Sequence, residues 1–143
     1  MGITALLYAV GAFVCLASAD FFLKLSAGRI SSSLGTLIYA ITAVVPAAIW
    51  VATERLTKVP QQLTREGVFT SMAVGISFSL VVVFLSLTFA NGADLSIASP
   101  TIRLIGIVLA SALGILVLRE QFSLRYAFGI ILAFAGIFFI ITR

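Results

Sequence analysis

The chain has 143 residues, 62% of them hydrophobic and only 10% charged, with 9 Lys+Arg against 5 Asp+Glu and a net charge of +4. Soluble domains average about 25% charged residues, so this composition leaves no room for a separate water-soluble domain. The basic residues are spread among short connections rather than gathered on a face, which argues against a nucleic-acid footprint. The chain has no His, and so lacks the commonest metal ligand and general base. Nothing in it matches a phosphate-cradling loop, a Ser/His/Asp set or a zinc spacing, and the reading is of a non-enzyme without cofactor or metal.

Five long apolar runs follow one another, at 3–25, 34–52, 68–90, 95–118 and 124–142. Each is close to the ~20 residues a helix needs to cross a hydrocarbon core about 30 Å thick. Backbone groups in lipid have no water to bond, so such segments are expected to be helices. The expected fold is therefore an all-α membrane protein in which residues 1–143 form a single five-span domain. An odd number of crossings places the two termini on opposite sides.

In the first run, Ala17-Ser18-Ala19 has the small-x-small form of a signal-peptidase site. No Lys or Arg precedes the run, and its apolar character continues through Phe21, Phe22 and Leu23, so a retained span is expected. The single Cys15 lies mid-span and excludes an intrachain disulfide. Further along stand Asp20 and Lys24, spaced i and i+4 on one helix face with the acid first. The second run contains Pro46, which is expected to kink it, and Trp50 near its end, as befits an interfacial aromatic belt. The third carries no charged residue.

The fourth run opens with Ser99, Pro100, Thr101 and Arg103, then carries Gly106, Ala110 and Gly114 at every fourth position. In the fifth, Gly129 and Ala133 repeat that spacing with Gly136 beside them, after Tyr126 at the membrane edge. Small-residue stripes let helix backbones approach closely where lipid supplies no hydrophobic drive, either within one chain or across a dimer. Phe134, Phe138 and Phe139 read as lipid-facing or as filler.

The connections set the expected orientation. Arg55, Lys58, Arg65, Arg119 and Arg125 fall on the side of the N-terminus, while Arg29 and Arg143, with Lys24 if it reaches outward, fall on the other. The positive-inside rule then favours a cytoplasmic N-terminus and an exterior C-terminus. The bias is small enough to allow insertion in both orientations.

Charges within a span cost several kcal/mol and usually face a partner or a wet cavity. Asp20 lies about six residues from the end of its span, ~9 Å deep, and Arg103 about seven from the start of its own, ~10 Å deep. The two would share a level if their helices are neighbours. Two readings stand: Lys24 and Arg103 snorkel to headgroups while Asp20 pairs with Lys24, or all three line an outward-opening cavity. Pro100 removes one backbone hydrogen bond, and a freed carbonyl at that depth must be buried or line water. Ser99, Pro100, Thr101 and Arg103 are thus the best local candidates for a polar pathway site.

From Phe84 to Arg143 the order of features resembles the second part of an EamA-type repeat of the drug/metabolite transporter superfamily. The features are the tail Ala90-Asn91-Gly92-Ala93, the proline Pro100, an apolar run closing on Arg119-Glu120, the link Phe122-Ser123-Leu124, and a last span bearing Gly129 and Gly136. The first span, closing on Asp20-Phe21-Phe22-Leu23-Lys24, is similar to the opening helix of such repeats. The resemblance implies one repeat of a ten-helix architecture in which two repeats, inverted relative to each other, hold substrate between them. It implies a dimer, either an antiparallel homodimer or a heterodimer with a similar subunit, in the plasma (inner) membrane of a bacterium or archaeon. Glu120 matches an acidic residue that ends the fourth span in the family, and beside Arg119 it implies a structural salt bridge or cap. In the related small multidrug resistance branch, aligning Lys24-Leu25-Ser26 puts the essential acid's position at Leu16; Asp20, one turn on, is not its positional equivalent.

The function so implied is a half-size transporter subunit that moves a small metabolite or drug-like solute by alternating access. Asp20 would serve as the ion- or proton-coupled group and Arg103 as a ligand for anionic groups. The alternative is an accessory or stabilising membrane subunit of a lipid-linked sugar flippase or another complex, which does not transport alone.

Overall fold

Long apolar runs leave the backbone one economical way to satisfy its polar groups in lipid, and all five become helices. These are α1 (Ile3–Ser26), α2 (Ser32–Leu56), α3 (Arg65–Ala90), α4 (Leu95–Leu116) and α5 (Leu124–Ile141). The computed structural model describes residues 2–119, 121 and 123–142, and among them there is no strand, only an isolated bridge between Ala27 and Ile30. Each helix is long and apolar enough to cross a membrane, with mean hydropathy from 1.8 to 2.3. The chain is a multi-pass helical membrane protein.

Helix ends fall where capping chemistry puts them, not where apolarity stops. α2 runs past residue 52 to Leu56, taking in Thr53, Glu54 and Arg55, and α3 begins at Arg65 rather than 68. Hydropathy marks the edge of the lipid, whereas the hydrogen-bonded ladder continues until a cap closes it. Thr64 is such a cap: its hydroxyl accepts the Gly67 N–H at 3.1 Å. Ser123 does the same for Tyr126 at the start of α5, at 3.2 Å. α2 closes with Lys58 in the left-handed region (φ 56°), which lets the Val59 N–H reach the Glu54 carbonyl at 3.0 Å. α4 stops at Leu116, short of 118, and Arg119 beyond it is also left-handed (φ 55°). Glu120, expected to pair with or cap beside Arg119, lies outside the described residues, as do Met1, Phe122 and Arg143.

Thr64→Ala should lower stability by about 1 kcal/mol, the usual worth of an N-cap. In thermal unfolding of the detergent-solubilised chain that is a fall of about 2–4 °C. A Cβ built on Gly67 would lie 2.9 Å from the Thr64 hydroxyl oxygen, so Gly67→Ala should displace the cap. The two substitutions should therefore be less than additive, and full additivity would show that Gly67→Ala does not act through the cap.

The helices group into two compact units, Met1–Gly92 and Ala93–Arg143. In the first, α3 packs against both α2 and α1; in the second, α4 packs against α5. Pro46 and Pro100 both sit inside continuous helices, as is tolerated in membranes when neighbouring groups satisfy the freed carbonyls. A hydroxyl bond ties the second unit together, the Tyr126 phenol donating to Ser111, which itself donates to the Ile107 carbonyl at 2.7 Å.

Few side chains are buried. Among the described residues the buried apolar side chains are Leu85, Phe89 and Ile137, while Phe134, Phe138 and Phe139 are exposed. Lipid is as apolar as Leu, so outward-facing large side chains are the expected state of a membrane helix. The glycine stripes divide in the same way: Gly114 is buried, but a Cβ built on Gly106, Gly129 or Gly136 would meet no heavy atom within 4 Å. Within the α4–α5 pair, Gly106 and Gly129 are therefore not points of closest approach, and Ala110 is exposed beside them.

Candidate functional site

Two polar groupings stand out, one in each unit. The first lies at the C-terminal ends of α1 and α3. Asp20 is 5% exposed, although it sits inside an apolar span, and on α3 Ser86 is 8% exposed and Phe89 2%. The Lys24 ammonium nitrogen lies 5.5 Å from the centroid of the Phe89 ring, a cation–π distance. Lys24 is thus only partly exposed, with its head over an aromatic face of α3.

Asp20, Leu23, Lys24 and Ala27 recur at i, i+3, i+4 and i+7 and so share one face of α1. On that face, about one turn beyond Asp20, a cleft of about 10 Å³ is lined by Leu23, Ser26, Ala27, Ile30, Ser31, Ser32, Gly35 and Ser86. That is about the space of one water-sized probe. Ser26 turns its hydroxyl proton to the Leu23 carbonyl at 2.8 Å, and the Ser26 carbonyl accepts from Arg29 and Ile30 in the turn that follows. Gly28, with φ 77°, makes this turn possible. The cleft is thus rich in hydroxyl groups, with Ser26, Ser31, Ser32 and Ser86 among its lining residues.

The second grouping is on α4. Ser99, Pro100, Thr101 and Arg103 are all partly buried. Pro100 has no N–H to give to the Ser96 carbonyl four residues back. The Thr101 hydroxyl is buried and has no hydrogen-bond partner among the described residues. Ser and Thr hydroxyls inside a helix commonly donate to the carbonyl three or four residues back, as Thr36, Thr42, Thr88 and Ser111 do here. Thr101 departs from that habit one residue after the proline. What this stretch can offer a polar solute or water is the Thr101 hydroxyl, which no group among the described residues satisfies.

No family model, curated protein or solved structure matches the chain.

Of the residues singled out in the sequence, Lys24 meets Phe89 of α3 and Asp20 is buried one turn before Lys24 on α1, while Ser99, Pro100, Thr101 and Arg103 belong to the other unit. Arg119 is exposed. Ser86 and Phe89 were not legible as site residues, because α3 is apolar all round and periodicity cannot say which face meets α1. Counting from helix ends held the only available signal: Phe89 and Lys24 are each within two residues of theirs. Among the described residues no group of His, Cys, Asp and Glu is arranged to hold a metal ion.

Proposed function

We propose that the chain is an EamA-like transporter subunit, one five-span repeat that works as a dimer and moves a small solute by alternating access. The burial of Asp20 carries this reading. A carboxylate at 5% exposure in a membrane helix is costly to keep, and such residues usually belong to ion, proton or substrate pathways. The partly buried polar stretch of α4 that holds Pro100, Thr101 and Arg103 supports the same reading. Two such repeats, inverted relative to each other, would form a ten-helix assembly with the site at their interface.

Tagging both ends and testing reagent access in intact cells and inverted vesicles should place them on opposite faces. A mixed population of orientations is the expected result for an antiparallel homodimer. Purified protein reconstituted in liposomes should take up solute as a dimer. Both ends on one face, or uptake by an isolated monomer, would overturn the proposal; no uptake together with stable co-purification of another membrane protein would favour an accessory subunit.

A further inference from the structure

The lower part of α2 carries a groove that the transport reading does not use. It has a volume of about 340 Å³ and is lined by Pro46, Ile49, Trp50, Thr53, Glu54 and Thr57. These positions recur at i, i+3, i+4, i+7, i+8 and i+11, so they form one continuous face of the helix. The face changes character along its length. Pro46 and Ile49 make an apolar floor toward the middle of the span, and the polar groups gather at its end. Over eleven residues at 1.5 Å each, the groove runs about 16 Å along the helix, from the membrane interface toward its interior.

Among the groove's polar side chains, Thr53, Glu54 and Thr57 are left as acceptors. The Trp50 indole N–H donates to a Glu54 carboxylate oxygen at 2.7 Å. That bond uses the indole's sole donor and holds the carboxylate against the ring. The Thr53 hydroxyl donates to the Ile49 carbonyl at 2.8 Å, and the Thr57 hydroxyl donates to the Thr53 and Glu54 carbonyls at 2.9 and 3.1 Å. Both hydroxyl protons are committed to the backbone, so each oxygen has only lone pairs left to offer. A carboxylate, two hydroxyl oxygens and an indole face suit a cation with several N–H donors. They do not suit a phosphate, which is itself all acceptor, and a quaternary ammonium would forgo every hydrogen bond they offer.

We propose that this groove binds a phospholipid with a primary ammonium headgroup, of the phosphatidylethanolamine type. The ammonium bonds to Glu54, Thr53 and Thr57, beside the Trp50 ring. The phosphate draws on the positive charge of Arg55 and Lys58 at the same helix end, and an acyl chain follows Ile49 and Pro46 inward. The complementarity is specific in sign. Arg55 and Lys58 alone would select an anionic lipid, whereas Glu54, one residue before Arg55 and four before Lys58, adds the negative charge that selects a zwitterion.

The test uses the full chain, purified in detergent and offered lipids of identical acyl composition: phosphatidylethanolamine, its mono- and dimethyl derivatives, phosphatidylcholine and phosphatidylglycerol. Native mass spectrometry reads what is retained. Retention should fall stepwise with each N–H donor removed, to about tenfold less for phosphatidylcholine, the factor that loss of charge-assisted hydrogen bonds produces. Glu54→Gln should flatten that ladder while leaving phosphatidylglycerol binding unchanged or stronger. Equal retention across the methylation series, or phosphatidylglycerol retained best by the unmodified chain, would overturn the proposal. The series on the unmodified chain decides the question even if a variant fails to fold.

Discussion

Asp20→Asn should abolish ion-coupled uptake while leaving the protein folded. Asparagine keeps the size and one acceptor oxygen but removes the ionisable group from its buried position on α1. In proteoliposomes, uptake driven by an imposed proton or sodium gradient should fall about a hundredfold, the factor that ~2.7 kcal/mol makes at 25 °C. The pH dependence of any residual uptake should flatten. Counterflow exchange, which needs no coupling, should survive better than gradient-driven uptake, and this split separates loss of coupling from loss of the fold. Undiminished uptake with an unchanged pH profile would remove Asp20 from the mechanism and reduce it to a structural partner of Lys24 or another group.

Arg103→Ala should act on a different variable, the choice of solute. A guanidinium in the partly buried stretch of α4 just after Pro100 carries several donors in a fixed plane, suited to carboxylate or phosphate. Removing it should weaken uptake of anionic solutes at least tenfold more than uptake of neutral ones of similar size, given the ~1.5–3 kcal/mol of a hydrogen bond to a charged group. Arg103→Lys should recover part of the loss by restoring charge without the planar fork. Equal impairment of anionic and neutral solutes would mean that Arg103 supports the helix rather than the ligand. Thr101 gives a control in the same segment: Thr101→Val removes the buried hydroxyl without touching charge. It should therefore leave the anionic-to-neutral ratio alone.

The helices were largely legible in the sequence, and the reasons are physical. An apolar run of span length can be little else, and the expected 68–90 and 95–118 runs became Arg65–Ala90 and Leu95–Leu116. Errors fell at the ends, where Thr64 and the left-handed Lys58 and Arg119 decide the boundary and hydropathy is silent. Site residues were legible only where a residue type is out of place in lipid. Asp20, Lys24 and Arg103 announce themselves by charge and Pro100 by its missing donor. Ser86 and Phe89 do not, since each is ordinary in an apolar helix and matters only because α3 turns that face to a neighbour. Trp50 read as a generic interfacial aromatic; that its indole holds Glu54, and that two threonines beside it present only lone pairs, required the side-chain geometry.

The scarcity of buried apolar side chains bears on how this protein tolerates change. Where Leu, Ile, Val and Phe look outward into acyl chains, one can replace another with little penalty, since no shaped cavity records its identity. Aliphatic swaps scanned along α2 should be nearly silent, with intolerance confined to the buried positions Leu85, Ser86 and Phe89 on α3 and Ile137 on α5. A lineage free to drift over most of its surface in this way would keep its architecture long after its residues had stopped resembling those of its cousins.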